Sequence, residues 1–213
     1  MKKALVLVSA GVLAAVIAGC AATEERGDPV REKQAVETMK QSFSARGIAK
    51  MDRLDQDELQ RVCTEARDKP SPEVEKRLEA AEMRKIKLPA DGQFMGDWKR
   101  GEKIARIGRG MTWRDKPGKT SRGEPNGGGC YNCHELSPKE TSFGSVGPSL
   151  RQFGKLRGYT VQNQEYAYKK IYDAKAYSLC STMPRFGTSG TLTEQQIKDL
   201  TAYLMDPNSP VNK

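Results

Sequence analysis

The sequence predicts a mostly α-helical protein, and three observations carry that expectation. Apolar residues recur at helical rather than alternating spacing along most of the chain. Helix-start signals stand at Asp55 with Glu58, at Ser71 followed by Pro72, at Asp97, and at Thr193 with Gln196. Between the helices of the second half lies Cys130-Tyr131-Asn132-Cys133-His134, a turn whose residue types announce chemistry rather than packing.

Two thiols three positions apart, followed at once by an imidazole, form the attachment pattern of a covalent haem c. Both vinyl groups of the porphyrin can take a thioether bond from one short turn, and the next residue is delivered to the iron. Cys130 and Cys133 are therefore the expected covalent sites and His134 the expected axial ligand. A redox dithiol or half a zinc site also uses C-x-x-C. Zinc would require further ligands, yet His134 is the only histidine of 213 residues and no second C-x-x-C exists.

The elements are expected in this order. Lys2 and Lys3 precede the apolar run Ala4 to Ala18, so residues 1–20 read as a signal peptide, too short to span a bilayer. Ile17-Ala18-Gly19-Cys20 resembles a lipobox, with Cys20 as the lipidated first residue of the mature chain; ordinary cleavage near Ala21 or Ala22 is the alternative. Both export the protein, to the periplasm in the first instance. Residues 21–95 form a charged helical extension, with helices near Val30 to Ala45, from Asp55 with Leu59, Val62 and Ala66 on one stripe, and from Ser71 with Val74, Leu78 and Ala81. No ligand cluster appears there. Residues 96–213 form the haem domain: a helix from Asp97 through Ile107, a basic surface loop from Gly108 to Gly129, a Gly147-Pro148 turn, a helix over Gln164 to Ala176, an irregular stretch around Met183-Pro184, and a last helix stopped by Asp206-Pro207.

With Cys20 assigned to export and Cys130 and Cys133 to haem, Cys63 and Cys180 remain of five cysteines. Outside the cytoplasm an even remainder reads as a disulfide, worth roughly 4 to 5 kcal/mol for so long a loop. Two separate buried thiols, or a mixed disulfide with a partner, are the other readings.

Charge is uneven. Residues 21–100 carry 17 Lys and Arg against 17 Asp and Glu, whereas residues 101–213 carry 17 against 10. The excess, concentrated in Lys103, Arg106, Arg109, Arg114, Lys116, Lys119 and Arg122, suits an acidic protein partner or an anionic substrate. A solvated loop would show the same residues, and an exported chain does not meet nucleic acid.

The sixth position on iron follows from elimination. No second histidine exists, and only Met183 and Met205 follow the haem motif. Met205 ends a helix one position past its apolar stripe, facing solvent or a helix neighbour, whereas Met183 lies on a proline-fixed loop well separated from His134. A thioether opposite histidine fills the coordination sphere and raises the potential, which favours electron transfer. A ligand-binding or peroxidatic cytochrome would need an open site instead.

These motifs carry a resemblance. Gly96 to Ile104, the C-Y-N-C-H turn, Gly147-Pro148, Met183 and the closing helix resemble the class I cytochromes c, in the same order. The resemblance implies that Gly101 lets the first helix of the domain cross the last near Tyr203, and that Pro148 offers its carbonyl to His134. The insertion from Arg109 to Gly129 and the N-terminal extension lie outside it. A narrower likeness joins Gly144 to Leu150, Cys180-Ser181-Thr182-Met183-Pro184-Arg185-Phe186-Gly187, Leu192 to Ile197 and Asp206 to Asn212, which together resemble the SoxX family. That likeness implies a heterodimer with a SoxA-like haem subunit, which joins thiosulfate to a cysteine of the carrier SoxYZ. This chain would be the electron-accepting subunit of that L-cysteine S-thiosulfotransferase, with no catalytic residue of its own, and would pass electrons to a soluble cytochrome. A stand-alone periplasmic carrier is the alternative.

Overall fold

Helices form where caps and apolar spacing agree, as a computed structural model describing residues 28–116 and 118–213 shows. The signal segment, Cys20 and the tether before Asp28 lie outside the described residues. The chain divides after Ser44 into two units.

In the first unit, α1 (Pro29–Ser42) starts at Asp28, whose side chain accepts the Val30 amide at 3.0 Å, and has Pro29 in its first turn. None of its residues is buried.

The second unit runs from Ala45 to Lys213. Its frame is the crossing of α4 (Trp98–Arg106) with α7 (Glu194–Met205). Asp97 caps α4 by accepting the Lys99 amide at 2.8 Å. A Cβ on Gly101 would meet the Asp199 carbonyl oxygen at 2.1 Å and Tyr203 Cβ at 2.9 Å, so only glycine allows this approach. The expected crossing of Gly101 by Tyr203 is present. Thr193 and Gln196 form the expected capping box on α7. Ile197, Leu200, Ala202 and Tyr203 are buried along α7, each larger side chain contributing about 1.5 to 3 kcal/mol by leaving water.

The expected helix over Gln164–Ala176 is α6, which begins earlier and ends sooner. It spans Val161–Tyr172, with Thr160 as its cap, and a separate 3-10 turn follows over Ala174–Ala176. It packs Ala167, Tyr168 and Ile171 into the same core. A short helix, α5 (Phe153–Arg157), and the C-terminal turn Pro210–Asn212 are additions; Asn212 Oδ1 accepts the Gly154 amide at 2.9 Å and ties the two together. No β-strand occurs among the described residues, only isolated bridges.

The segment before Asp97 folds onto the haem-bearing part, so the expected boundary between residues 95 and 96 falls inside the second unit. There α2 spans Glu58–Glu65 and α3 spans Pro72–Met83. The start of α2 corrects the reading from Asp55: the box is made by Asp57 and Gln60, each side chain meeting the other residue's amide at 2.9 Å. Two overlapping D-x-x-E/Q patterns compete here, and the later one places Leu59 and Cys63 on the buried face. α3 begins at Ser71 as expected. Cys63 and Cys180 are joined by a disulfide across 117 positions.

The Gly108–Gly129 stretch is a loop, but less of a surface one than its composition suggests. Asp115, Gly118 and Asn126 are buried. Asn126 donates to the Thr191 carbonyl at 2.9 Å, and Gln196 donates to the Gly118 carbonyl at 3.1 Å, fastening the loop to the start of α7.

Candidate haem site

The C-x-x-C-H turn is shaped by the glycines around it. Gly129 adopts a left-handed conformation at φ +56°, and the 3-10 turn Cys130–Asn132 starts immediately after it. The Cys133 and His134 amides both return to the Cys130 carbonyl, at 3.1 and 2.9 Å, closing the turn that carries Cys130, Cys133 and His134. Its exit is fixed by Gly144 donating to the Tyr131 carbonyl and Gly147 to the Cys133 carbonyl, both at 2.8 Å.

Cys130, Cys133 and His134 line a cavity of about 530 Å³, and Met183 lines the same cavity. Its walls are mainly apolar, with Leu136, Leu150, Phe153, Ile171, Leu200 and Leu204 among them. That size and lining are those of a pocket for a largely apolar ligand. Met205 is fully buried in the core and does not line the cavity, which separates the two methionines by position. Of the two environments expected for Met205, helix packing is the one found.

The His134 ring is held by Pro148, whose carbonyl oxygen lies 2.7 Å from Nδ1. A carbonyl only accepts, so Nδ1 carries the proton and Nε2 keeps the lone pair that a metal needs. Gly147 makes room: a Cβ there would stand 2.2 Å from His134 Cε1.

Burial pushes the Cys130 thiol up to about 12. His134 is the sole histidine of the sequence and no second C-x-x-C exists, so the donor set fits covalent haem better than zinc. One three-residue cluster of metal-ligating types occurs among the described residues, Cys63, Cys180 and Asp68, and its two sulfurs are bonded to each other.

Residues 126–206 match the cytochrome c family. Over 206 residues the chain is 35% identical to an uncharacterized lipoprotein of Aquifex aeolicus (strain VF5), covering 96% of this chain and 95% of that one. Residues 126–206 of this chain are a cytochrome c domain. Haem c is accordingly its cofactor. In this domain, Cys130 and Cys133 would hold the porphyrin and His134, with Met183, the iron.

Site residues with no signature in the sequence also emerge. Tyr131, the first x of the motif, places its hydroxyl 2.7 Å from that of Tyr203, linking the haem turn to α7. Burial, then the bond to Tyr131, raises the Tyr203 pKa, so its hydroxyl stays protonated at neutral pH. Arg157, stacked over Phe153 at 4.8 Å and Tyr166 at 5.2 Å, and Lys170 bring positive charge to an otherwise apolar wall. Those cations suit the carboxylates of a porphyrin. None of the cations from Arg109 to Arg122 lines the cavity.

Proposed function

We propose that this cytochrome c is the electron-accepting subunit of a periplasmic SoxAX-type complex, in which a SoxA-like haem subunit conjugates thiosulfate to a cysteine of SoxYZ. The observation that carries an electron-transfer reading is the placement of His134 and Met183 on one cavity. Pro148 orients the imidazole, His134 and Met183 would hold the iron, and the apolar wall would keep water from it, so that a haem held here would supply a one-electron couple.

The narrower assignment is supported by where the SoxX-like segments fall. Gly147, Pro148, Met183, Pro184 and Phe186 all line the cavity, and Leu192 to Ile197 opens the helix that closes it. The likeness therefore concentrates on the site. The lipoprotein description of the Aquifex aeolicus relative supports anchoring of this chain through Cys20 on the periplasmic side of a membrane. Among the described residues no helix is long and apolar enough to cross one.

Purification from native membranes and periplasm, with haem counted per complex, tests the reading. Recovery with a second haem subunit, and haem reduction when thiosulfate and a SoxYZ-type carrier are added, is the expected result. Recovery with a single haem and no reduction under those conditions would leave the stand-alone carrier.

A further inference from the structure

Met183 lies on the stretch Ser178–Gly187, and α2 and α3 grip that stretch on both sides of it. Upstream, Leu179 is fully buried in a small core made by Leu59, Cys63 and Leu78, apart from the main core. Its amide donates to Glu79 Oε1 at 3.0 Å. Cys180, the next residue, is bonded to Cys63. Downstream, Arg185 forms ion pairs with Asp57 of the α2 cap and, at 3.4 Å, with Glu82 of α3.

Glu82 is fully buried and pairs with Lys85 as well. A buried carboxylate stripped of a cationic partner is costly, so Arg185 cannot leave without a penalty. Lys175 adds donors to the carbonyls of Leu179 and Ser181, at 3.1 and 3.0 Å. The residues matching the cytochrome c family, 126–206, contain Met183 and His134 but neither α2 nor α3.

We propose that α2 and α3 form a brace that positions Met183, with Cys63–Cys180 and Arg185 as its two fastenings. The inference rests on the reading of Met183 as an axial ligand. An external ligand competes only in the fraction of molecules whose methionine has swung away, so its apparent dissociation constant is the intrinsic one divided by that fraction. Held at both flanks, the loop keeps that fraction small. Cys63, Cys180 and Arg185 are positioning residues; they act through Met183.

Imidazole binding to the oxidised full-length holoprotein tests this, followed by loss of the sulfur-to-iron charge-transfer band. Cys63→Ser/Cys180→Ser and Arg185→Gln should each bind imidazole at least tenfold more tightly than the parent. Arg100→Gln, which removes an ion pair at the α4–α7 crossing, should leave imidazole affinity within twofold and so controls for general destabilisation. If the double serine variant does not fold, Arg185→Gln decides alone. Unchanged affinity in the brace variants, or an equal rise in Arg100→Gln, overturns the brace while leaving Met183 as ligand. Persistence of the band in Met183→Ala removes the ligand reading, and the brace with it.

Discussion

Gly147 and His134 are in such close register that a single methyl group on the glycine would occupy the space of the imidazole. The ideal Cβ position is 2.2 Å from Cε1 and 2.5 Å from Nδ1. The neighbouring Pro148 carbonyl holds the same ring from Nδ1 at 2.7 Å. The peptide around Gly147 therefore fixes both the position and the tautomer of His134.

Gly147→Ala should displace the ring and weaken the Pro148 bond. We expect a loss of about 1 to 3 kcal/mol, the range for overpacking a filled site, together with a changed reduction potential. Denaturant titration and redox titration of the holoprotein measure the two effects. A variant with the parent's potential and stability would show that the ring relaxes freely.

Covalent attachment is the next expectation. Cys130→Ala/Cys133→Ala should yield protein from which acid acetone extracts all haem, whereas parental haem should stay with the polypeptide. Extraction from the parent would sink the attachment reading.

Met183→Ala should lower the reduction potential and abolish the sulfur-to-iron charge-transfer band, because a thioether ligand favours the reduced iron. Met205→Leu should retain both, since Met205 is buried away from the cavity and the swap nearly conserves volume. A lost band in the second variant with a kept band in the first would exchange the assignments.

Acid stability should depend on Asp199. Burial works against its ionisation, but the paired bonds from Arg100 at 2.8 and 2.9 Å, the Asp97 amide at 2.9 Å and the Gln195 side chain outweigh it and lower the pKa below the ordinary 3.8. A carboxylate depressed in the folded state stabilises the fold above its unfolded pKa, and that contribution disappears as pH falls through the lower folded value. Asp199→Asn should therefore lose on the order of 2 kcal/mol at neutral pH, a difference that shrinks as pH falls below 3.8 and through the lowered folded value. Thermal melts across that range supply the comparison; a constant gap at every pH would contradict it.

The covalent turn was legible because its chemistry is local: five consecutive residues contain both thioether sites and one ligand. α7 and α3 were legible for the same reason, their caps lying within three residues of the helix start. α5 was invisible, since five residues are too few to show periodicity. The extension's hold on the Met183 stretch was only half visible. Cysteine arithmetic suggested Cys63 with Cys180, but no local pattern joins Arg185 to Asp57 and Glu82, which lie more than a hundred positions from it. Burial of Asn126 and Asp115 in the basic loop was hidden likewise, in contacts that no local pattern encodes.

That loop bears on the proposed partner. Its backbone is fastened: Lys116 and Lys119 exchange amide-to-carbonyl bonds at 2.9 and 3.0 Å, Asp115 accepts from Thr112 and Ser121, and Gln196 holds Gly118. Arg114, Lys116, Lys119 and Arg122 are exposed on it, none in an ion pair among the described residues, with Arg114 lying over the Trp113 ring at 4.5 Å. Cations displayed from a fixed backbone can steer an acidic surface at little cost in ordering. Reversal of Arg114, Lys116 and Lys119 to glutamate should slow association with a SoxA-like subunit by at least tenfold at low salt and flatten its dependence on ionic strength. The haem spectrum should not change, because these side chains lie off the cavity. Association rates that match the parent throughout a salt series would move the contact surface elsewhere, to the cavity mouth or the N-terminal helices.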